Sequence, residues 1–456
     1  MPTDMTRGPI FPMLMRFMLP LLIGDIFQRL YNMADTIIVG RTLGENALAA
    51  VGATGGFMYL VTGFAIGITA GFTVLTAQRY GAKDAEGVRA SVSGGILLGL
   101  GLTALLTALF LPMVPVVLTW MNTPTAIFPD AATYIKIICA GTVCTVFYNL
   151  FSAYLRAVGN SRAPLFFLIF SACLNVGLDL LFIIRFGMGV AGAARATVLA
   201  QGISALLCAL YIWRRVPGLI PRKSEWRPRG AVLRFELKMG LPMALQYAIT
   251  DSGIMIQQAA INLFGATAVA AFTAASKIQS LLMQGMIAMG QTMATYCGQN
   301  RGAGRFDRIK AGVRLAVIIE LIYSVIAMGL MVFPLRALMG LFFSGDAGLP
   351  AMMPWAGAYA RICITCYVPL AMIFIFRSGM EGCGYAMLPL ACGLTELLAR
   401  GLAAAAGMRL HSFPVAAACD PAAWLAAGIV SVLMFRWMFA DMRRKAEARP
   451  VRQSIS

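Results

Sequence analysis

The sequence predicts an all-α integral membrane protein with twelve transmembrane helices in two six-helix lobes related by a parallel repeat. Apolar residues make up 59% of the 456 residues and charged residues 12%, against roughly 45–50% and about 25% in soluble domains. A water-soluble core cannot use so many apolar side chains, so a lipid bilayer must solvate them. Twelve apolar runs and an internal repeat complete the prediction.

The apolar runs approach or exceed the roughly 20 residues that a helix needs to cross a bilayer. In chain order, the predicted spans are residues 14–40, 47–76, 91–118, 131–155, 163–184, 189–213, 240–264, 267–297, 310–335, 353–378, 387–410 and 416–440. Within the second span, Gly63, Gly67 and Gly71 recur every four residues and share one helix face, which predicts close packing against another helix.

The second half of the chain repeats the first at an offset of 221 to 225 residues. Four pairs of residues carry the repeat: Pro20 and Pro242, Gly44 and Gly265, Gln78 and Gln299, and Gly159 and Gly384. Because each copy holds six spans, both copies enter the membrane from the same side, which makes the repeat parallel. A duplicated hydrophobic unit is typical of secondary transporters.

Basic residues alternate with the helices. They collect at both ends of the chain and in the loops that follow the even-numbered spans, above all in the linker between the sixth and seventh spans. Basic loops remain in the cytoplasm, so we expect both termini there. The net charge of +18 follows this loop pattern rather than one continuous patch, which favours anionic membrane lipids and not nucleic acid as partners.

These patterns predict the domain limits. Residues 1–213 form the amino-terminal lobe, 214–238 a basic cytoplasmic linker, 239–440 the carboxy-terminal lobe and 441–456 a basic cytoplasmic tail.

Enzyme chemistry is excluded by the residues available. His411 is the only histidine, and the chain has neither a G-x-x-x-x-G-K-[ST] phosphate loop nor a G-x-S-x-G elbow. We therefore expect no cofactor and no ATP hydrolysis. Active transport would have to draw on a gradient of H⁺ or Na⁺.

Charged residues inside the membrane indicate where such an ion binds. Asp35 lies 19 residues after Arg16, and Asp179 lies 17 residues after Arg162, about 28 and 26 Å along a helix. Both helices start in the cytoplasm, so the two carboxylates reach a similar depth in the outer half of the membrane. An ionised group at that depth is costly and needs a partner or a function.

Two polar residues reach the same level. Asn175 precedes Asp179 by four residues on the same helix face, and Thr197 enters early in the sixth span. Two acids, an amide and a hydroxyl would form an oxygen-rich site for a proton or a sodium ion. The alternative is that each acid is only hydrogen-bonded to dock its helix.

Several motifs resemble one family in their order and spacing. They are Tyr31-Asn32-x-x-Asp35-Thr36-x-x-x-Gly40, Gln78-x-x-Gly81, Leu155-Arg156-x-x-Gly159, Leu174-Asn175-x-x-x-Asp179 and Gly189-x-x-Gly192-Ala193. The chain resembles the multidrug and toxic compound extrusion (MATE) transporters of the MOP superfamily, prokaryotic type, over nearly its whole length.

The resemblance implies a monomer that exports organic cations and other amphipathic drugs in exchange for protons or sodium ions. In a prokaryotic branch, the positions that match Asp35, Asn175, Asp179 and Thr197 form the proton or cation site, including a possible Na⁺ site. The substrate cavity is expected to include Gln28, Tyr31, Tyr134, Asp251 and Glu396. Asp251 falls one residue from the acid that another branch uses on its seventh helix, and the tenth span offers no matching acid.

Other acids in the predicted spans include Asp25, Glu320 and Glu396. Asp25 is four residues before Arg29, and Glu396 is four residues before Arg400, so each acid can pair along its own helix. Glu396 could instead face the cavity and meet a cationic substrate. Glu320 has no local partner in the sequence.

The sequence thus predicts a secondary antiporter that works by alternating access. One alternative is a flippase for lipid-linked saccharide or peptidoglycan precursors, which would use Arg361, Arg377 and Arg400 to hold a pyrophosphate. Another is a passive channel or membrane scaffold, which leaves the paired acids unexplained.

The two halves are unequal at the expected ion site. The repeat aligns Asp35 with Gln257, Asn175 with Arg400 and Asp179 with Ala404. This difference points to the amino-terminal lobe as the ion site.

Overall fold

The computed structural model describes residues 3–340, Phe342 and residues 348–447, without the side chains of Tyr59, Leu60 and Asp251. This part of the chain is helical and contains no strand. The first half comprises α1 (Ile10–Leu43), α2 (Glu45–Gly81), α3 (Ala85–Trp120), α4 (Phe128–Ala140), α5 (Thr142–Ala157), α6 (Arg162–Asp179), a π-helix (Leu180–Arg185) and α7 (Gly189–Arg215).

The second half follows a similar order. It comprises α8 (Gly230–Ile261), α9 (Ala266–Leu282), α10 (Gln284–Gly302), α11 (Phe306–Val332), the short α12 (Leu335–Gly340), α13 (Leu349–Ile364), α14 (Tyr367–Gly382), α15 (Met387–Arg409), the short α16 (Phe413–Ala417) and α17 (Cys419–Glu447).

Every predicted span coincides with helix. Among the described residues, eight helices are long and apolar enough to cross a membrane singly, and two bent pairs, α4 with α5 and α13 with α14, each make one further span. The remaining two predicted spans, 240–264 and 267–297, correspond to α8 and to α9 with α10.

Two of the departures from the predicted continuous helices are sharp bends. The bend is 48° between α4 and α5 and 52° between α13 and α14. Gly141 separates the first pair, and glycine is a poor residue for a helix interior. In the second pair, Pro369 has no N–H to donate to the carbonyl of Thr365, so α13 ends at Ile364 just before it.

By packing, the described chain divides into two units. Unit 1 contains residues up to Arg7 and Met15–Ala244, and unit 2 contains Gly8–Leu14 and the residues from Leu245 onward. The division falls within α8, whereas the sequence analysis put the boundary in the linker. The predicted domain limits themselves remain a prediction.

Unit 1 owes its compactness partly to glycines on α2. A β-carbon on Gly67 would lie 2.8 Å from the Cα of Ala244, and one on Gly71 would lie 2.8 Å from the carbonyl carbon of Met239. Such distances leave no room for a side chain, so the backbones of α2 and α8 are in direct contact. The close packing predicted from the glycine spacing is confirmed at Gly67 and Gly71.

The linker between α7 and α8 is attached to unit 1 through a short 3₁₀ helix, Lys223–Trp226. The Nε of Arg89 on α3 lies 2.9 Å from both carboxylate oxygens of Glu225, and the hydroxyl of Ser93 donates to the Glu225 carbonyl at 2.6 Å. The linker therefore packs on α3 instead of extending freely.

The repeat is visible in the backbone. Gly44 and Gly265 both have φ of 85°, while Gly159 has φ of 82° and Gly384 of 77°. These left-handed conformations favour glycine. They occur at the same points of the two halves, which fixes the alignment of one half on the other.

Candidate ion-binding site

Helices α1 and α6 bring Asp35 and Asp179 together in unit 1. The two carboxyl groups are in hydrogen-bonding contact, and the Asp179 side chain is 0% exposed. The Oδ1 atoms of both residues are buried with no hydrogen-bond partner among the described residues. The structure thus joins the two acids that the sequence analysis placed at one depth.

Asp179 is the last residue of α6 and precedes the π-helix directly. A π-turn accommodates an extra residue and changes the direction of the side chains that follow, and such turns are frequent at functional sites. The sequence analysis gave no sign of this segment, because its residues are apolar and continue the helical pattern.

Asn175 connects the acids to their neighbours. In the amide orientation that satisfies the surrounding groups, its nitrogen donates to Oδ2 of Asp179 at 2.9 Å and to the Tyr31 hydroxyl at 3.1 Å. Its oxygen accepts from the backbone N–H of Thr197 at 3.0 Å. The Thr197 hydroxyl donates to the carbonyl of Ala193 at 3.1 Å. Asn175 therefore fixes the positions of α1, α6 and α7 around the acids.

Two tyrosines complete the surroundings of the carboxyl groups. Tyr31 is hydrogen-bonded with Thr197, and both Tyr31 and Tyr134 lie within electrostatic range of Asp35 and Asp179. Tyr134 is 7% exposed. The sequence-predicted set of two acids, one amide, one threonine and two tyrosines is therefore assembled in one place.

Gln28 shares this face of α1, three residues before Tyr31 and seven before Asp35. Its side chain is exposed, and its place in a substrate cavity remains a prediction.

The arrangement suits a small cation. Like charges in contact repel each other, and a proton or a cation shared between Asp35 and Asp179 would relieve that repulsion. Carboxylate, amide and hydroxyl oxygens are also the ligands that hard cations prefer. The donor set therefore fits either a proton or a sodium ion.

The other predicted cavity residues lie elsewhere. The side chain of Asp251 lies outside the described residues. In unit 2, Glu396 accepts from Nη2 of Arg400 at 3.1 Å and lies 3.8 Å from Nη1 of Arg377. The predicted pairing of Glu396 with Arg400 is confirmed, while its place in a substrate cavity remains a prediction. Glu320 is buried, and its Oε2 has no hydrogen-bond partner in the described part of the chain.

Two partnerships escaped the sequence analysis. Asp25 lies within electrostatic range of Arg156 on α5 as well as of Arg29 on its own helix. Arg400 also donates to Asp420 of α17 at 3.0 Å. Neither contact has a signal in the local sequence spacing, because each joins different helices.

Comparison with known proteins identifies the family of the chain. The chain matches the MatE family over residues 20–181 and 242–400. It is 31% identical over 308 residues to the probable multidrug resistance protein YpnP of Bacillus subtilis, an alignment that covers 67% of this chain and 68% of that protein. It is 25% identical over 404 residues to the FAD transporter of Shewanella oneidensis, covering 86% of each chain.

Solved structures share the fold. The crystal structure of MATE in complex with MaL6 superposes with a TM-score of 0.89 at 22% identity, covering 97% of this chain and 99% of that one. The all-α fold of twelve membrane helices is confirmed.

The fold and the family together define a multi-pass membrane transporter and not an enzyme. The chain belongs to the MatE family, the MATE transporters that its motifs resemble.

Proposed function

We propose that this protein is a secondary antiporter that exports cationic or amphipathic drugs in exchange for protons or sodium ions by alternating access. The observation that carries the proposal is the contact between Asp35 and Asp179, with one oxygen of each left without a partner among the described residues. A buried pair of acids without a fixed counter-ion is suited to a cation that enters and leaves.

Exchange requires that the ion and the drug favour different conformations or compete for one of them. The ion would bind at Asp35, Asn175, Asp179 and Thr197. The drug would contact Gln28, Tyr31 and Tyr134 beside them, so binding of the ion would alter the drug's surroundings directly. Asp251 and Glu396 remain predicted cavity residues.

The similarity to a protein named for multidrug resistance supports drug export. We further propose a monomer in a prokaryotic inner membrane, with both termini in the cytoplasm and anionic lipids at its basic loops. The alternation of basic loops with helices supports this orientation.

The flippase alternative depends on arginines free to hold a pyrophosphate. Of the three that the sequence offers, Arg377 and Arg400 both lie against Glu396, and Arg400 also binds Asp420. These acids compete with a phosphate for the guanidinium groups, which makes antiport of a cation the better proposal.

Transport of a flavin nucleotide is a second candidate, because one relative that aligns with 86% of this chain is named an FAD transporter. Such a substrate is anionic and also aromatic and amphipathic. The same assay can test it as a competitor of a cationic drug.

The test is counterflow of ethidium in proteoliposomes under proton and sodium gradients imposed separately. We expect one of the two gradients, applied alone, to drive ethidium against its concentration gradient. Empty liposomes under the same gradients are the control. Ethidium movement that follows only its own gradient would indicate a passive channel, and inhibition by FAD alone would favour the flavin candidate.

A further inference from the structure

The internal repeat identifies the residues of unit 2 that correspond to the candidate ion site of unit 1. Pro20 and Pro242 align α1 with α8 at an offset of 222 residues, and the first residues of α6 and α15, Arg162 and Met387, align those helices at 225. The helices that follow the two bends, α5 and α14, begin at Thr142 and Tyr367, which are 225 residues apart. The same offset therefore aligns α4 with α13. The matched pairs are Tyr31 and Gly253, Asp35 and Gln257, Tyr134 and Tyr359, Asn175 and Arg400, and Asp179 and Ala404.

Arg400 occupies the centre of this counterpart. Its side chain is 3% exposed, and Nη2 donates to Oε1 of Glu396 at 3.1 Å and to Oδ1 of Asp420 at 3.0 Å. The hydroxyl of Tyr359 is hydrogen-bonded to Oε1 of Gln279 and lies 3.3 Å from Oδ2 of Asp420. A buried positive charge therefore lies between two carboxylates, next to the tyrosine that corresponds to Tyr134.

The guanidinium group of Arg400 has space because α8 carries a glycine, Gly253, at the position that corresponds to Tyr31 of α1. A β-carbon at Gly253 would collide with Nη1 of Arg400 and lie 3.3 Å from its Cδ. In unit 1, Tyr31 is the equivalent of Gly253 and Asn175 is the equivalent of Arg400. The Tyr31 hydroxyl is 3.1 Å from the amide nitrogen of Asn175. Unit 1 thus has a large residue on α1 and a small one on α6, and unit 2 has the reverse.

The charges of the two sites differ in one respect. Unit 1 has two acids in contact, and the described interactions of their carboxyl groups include no lysine or arginine. Unit 2 also has two acids, but Arg400 holds both. The Nε and Nη1 atoms of Arg400 have no hydrogen-bond partner among the described residues, and Nη2 contacts both acids.

We propose that the guanidinium group of Arg400 is a covalently fixed cation that takes, in unit 2, the place of the exchangeable cation of unit 1. Removal of its side chain opens a site for a free monovalent cation, held by Glu396, Asp420 and Tyr359. The comparison with unit 1 rests on the proposed function, whereas the cation site in unit 2 stands on the contacts of Arg400 alone.

The experiment measures thermal unfolding of the full-length protein in detergent, with guanidinium replacing choline at constant ionic strength. All variants carry Asp179→Asn, so that the site in unit 1 does not contribute. Arg400→Ala leaves Asp420 without its cation and Glu396 with only Arg377, 3.8 Å away, so it should lower Tm by about 5–15 °C. About 10 mM guanidinium should restore at least half of that loss, because a ligand that binds only the folded state stabilises it. Sodium and methylguanidinium serve as further probes.

Arg79→Ala is the matched control. It removes an arginine whose Nη1 lies 2.8 Å from Asp84 at an exposed position of unit 1, so we expect no specific response to guanidinium. An Arg400→Ala protein that responds to none of these cations more than the parent does would overturn the proposal.

Two more variants cover the case in which Arg400→Ala does not fold. Arg400→Lys keeps the charge and should unfold within a few degrees of the parent. Arg400→Gln with Asp420→Asn removes one charge of each sign and should fold without a guanidinium response. A lysine variant as unstable as the alanine variant would contradict the proposal, since charge alone would then be insufficient.

This outcome is separable from the proposed function. Loss of ion-driven transport in Asp179→Asn tests the site in unit 1, while the guanidinium response of Arg400→Ala in that same background tests unit 2. Either result can fail without the other.

Discussion

Gly71 of α2 and Gly240 of α8 lie so close that neither has room for a side chain. A β-carbon on Gly71 would meet the backbone nitrogen of Gly240 at 2.5 Å, and one on Gly240 would meet the carbonyl oxygen of Ile68 at 2.9 Å. The first half of α8 is thereby held against α2 within unit 1. This contact explains why the packing division of the chain falls inside α8 and not in the linker before it.

Gly71→Ala should therefore destabilise the protein. The added methyl group would overlap backbone, which cannot move aside as a flexible side chain can, and overpacking costs about 1–3 kcal/mol. Thermal unfolding in detergent measures the loss. Gly52→Ala is the control, because Gly52 lies on the same helix and a β-carbon there would meet nothing within 4 Å. Equal stability of the two variants would show that α2 and α8 are not in backbone contact.

Asp35→Asn and Asp179→Asn should each abolish transport driven by the coupling ion. Each change removes a carboxylate from the pair that would hold the ion, so we expect the rate of ion-driven ethidium efflux to fall at least about tenfold. Asp130→Asn is the control, since Asp130 is an exposed acid in the first turn of α4. Efflux at the parent rate in both site variants would remove these acids from the mechanism.

Tyr31→Phe should weaken ion binding without abolishing transport. The change removes a hydroxyl that accepts from Asn175 at 3.1 Å and is also hydrogen-bonded with Thr197, and loss of each hydrogen bond costs about 0.5–1.5 kcal/mol. The ion concentration for half-maximal efflux should rise roughly two- to tenfold. Tyr385→Phe loses a comparable bond, from Tyr385 to Asp441 at 2.7 Å in unit 2, and should leave this concentration unchanged.

Glu225→Gln should release the linker in a pH-dependent manner. Partial burial raises the pKa of Glu225, but hydrogen bonds from the Arg222 amide and the Arg89 side chain outweigh it and hold the pKa below its ordinary value. For a carboxyl group with a lowered folded-state pKa, the stabilisation is present above the unfolded-state pKa and is lost as pH falls through the folded-state pKa.

Limited proteolysis of the linker measures this release. At pH 7 the Glu225→Gln protein should be cleaved faster than the parent, and the difference should shrink as pH falls below about 4. Glu86→Gln, which changes an exposed acid in the first turn of α3, should be cleaved like the parent at both pH values. A difference between Glu225→Gln and the parent that is independent of pH would show that carboxylate charge does not hold the linker.

The sequence placed Asp35, Asn175, Asp179 and Thr197 at one level because they lie on helices, while their role as an ion site remains a prediction. The spacing from Asn175 to Asp179 fixes one face of α6, and the distance from the cytoplasmic arginines fixes depth. Those two quantities predict a common depth for Asp35 and Asp179, while their contact depends on how α1 and α6 pack. The tyrosines came from the family resemblance, since an aromatic residue in a membrane helix has no distinctive pattern of its own.

The remaining features depend on contacts between distant segments. Asp420 reaches Arg400 across the loop that holds α16, and Arg156 reaches Asp25 from another helix. Helical periodicity says nothing about such pairs. The bends escaped prediction for a different reason, because Gly141 and Pro369 lie within apolar runs that by composition read as single helices.

The paired glycines Gly44 with Gly265 and Gly159 with Gly384 have nearly the same φ, and the two bent helix pairs bend by similar angles. Side chains at the matched ion positions, by contrast, differ in size and in charge. After an ancestral gene doubled, the two descendants therefore kept a common shape and diverged in chemistry. In this chain the two copies retain the same backbone conformation at matched points, while the side chains at the matched sites have been replaced.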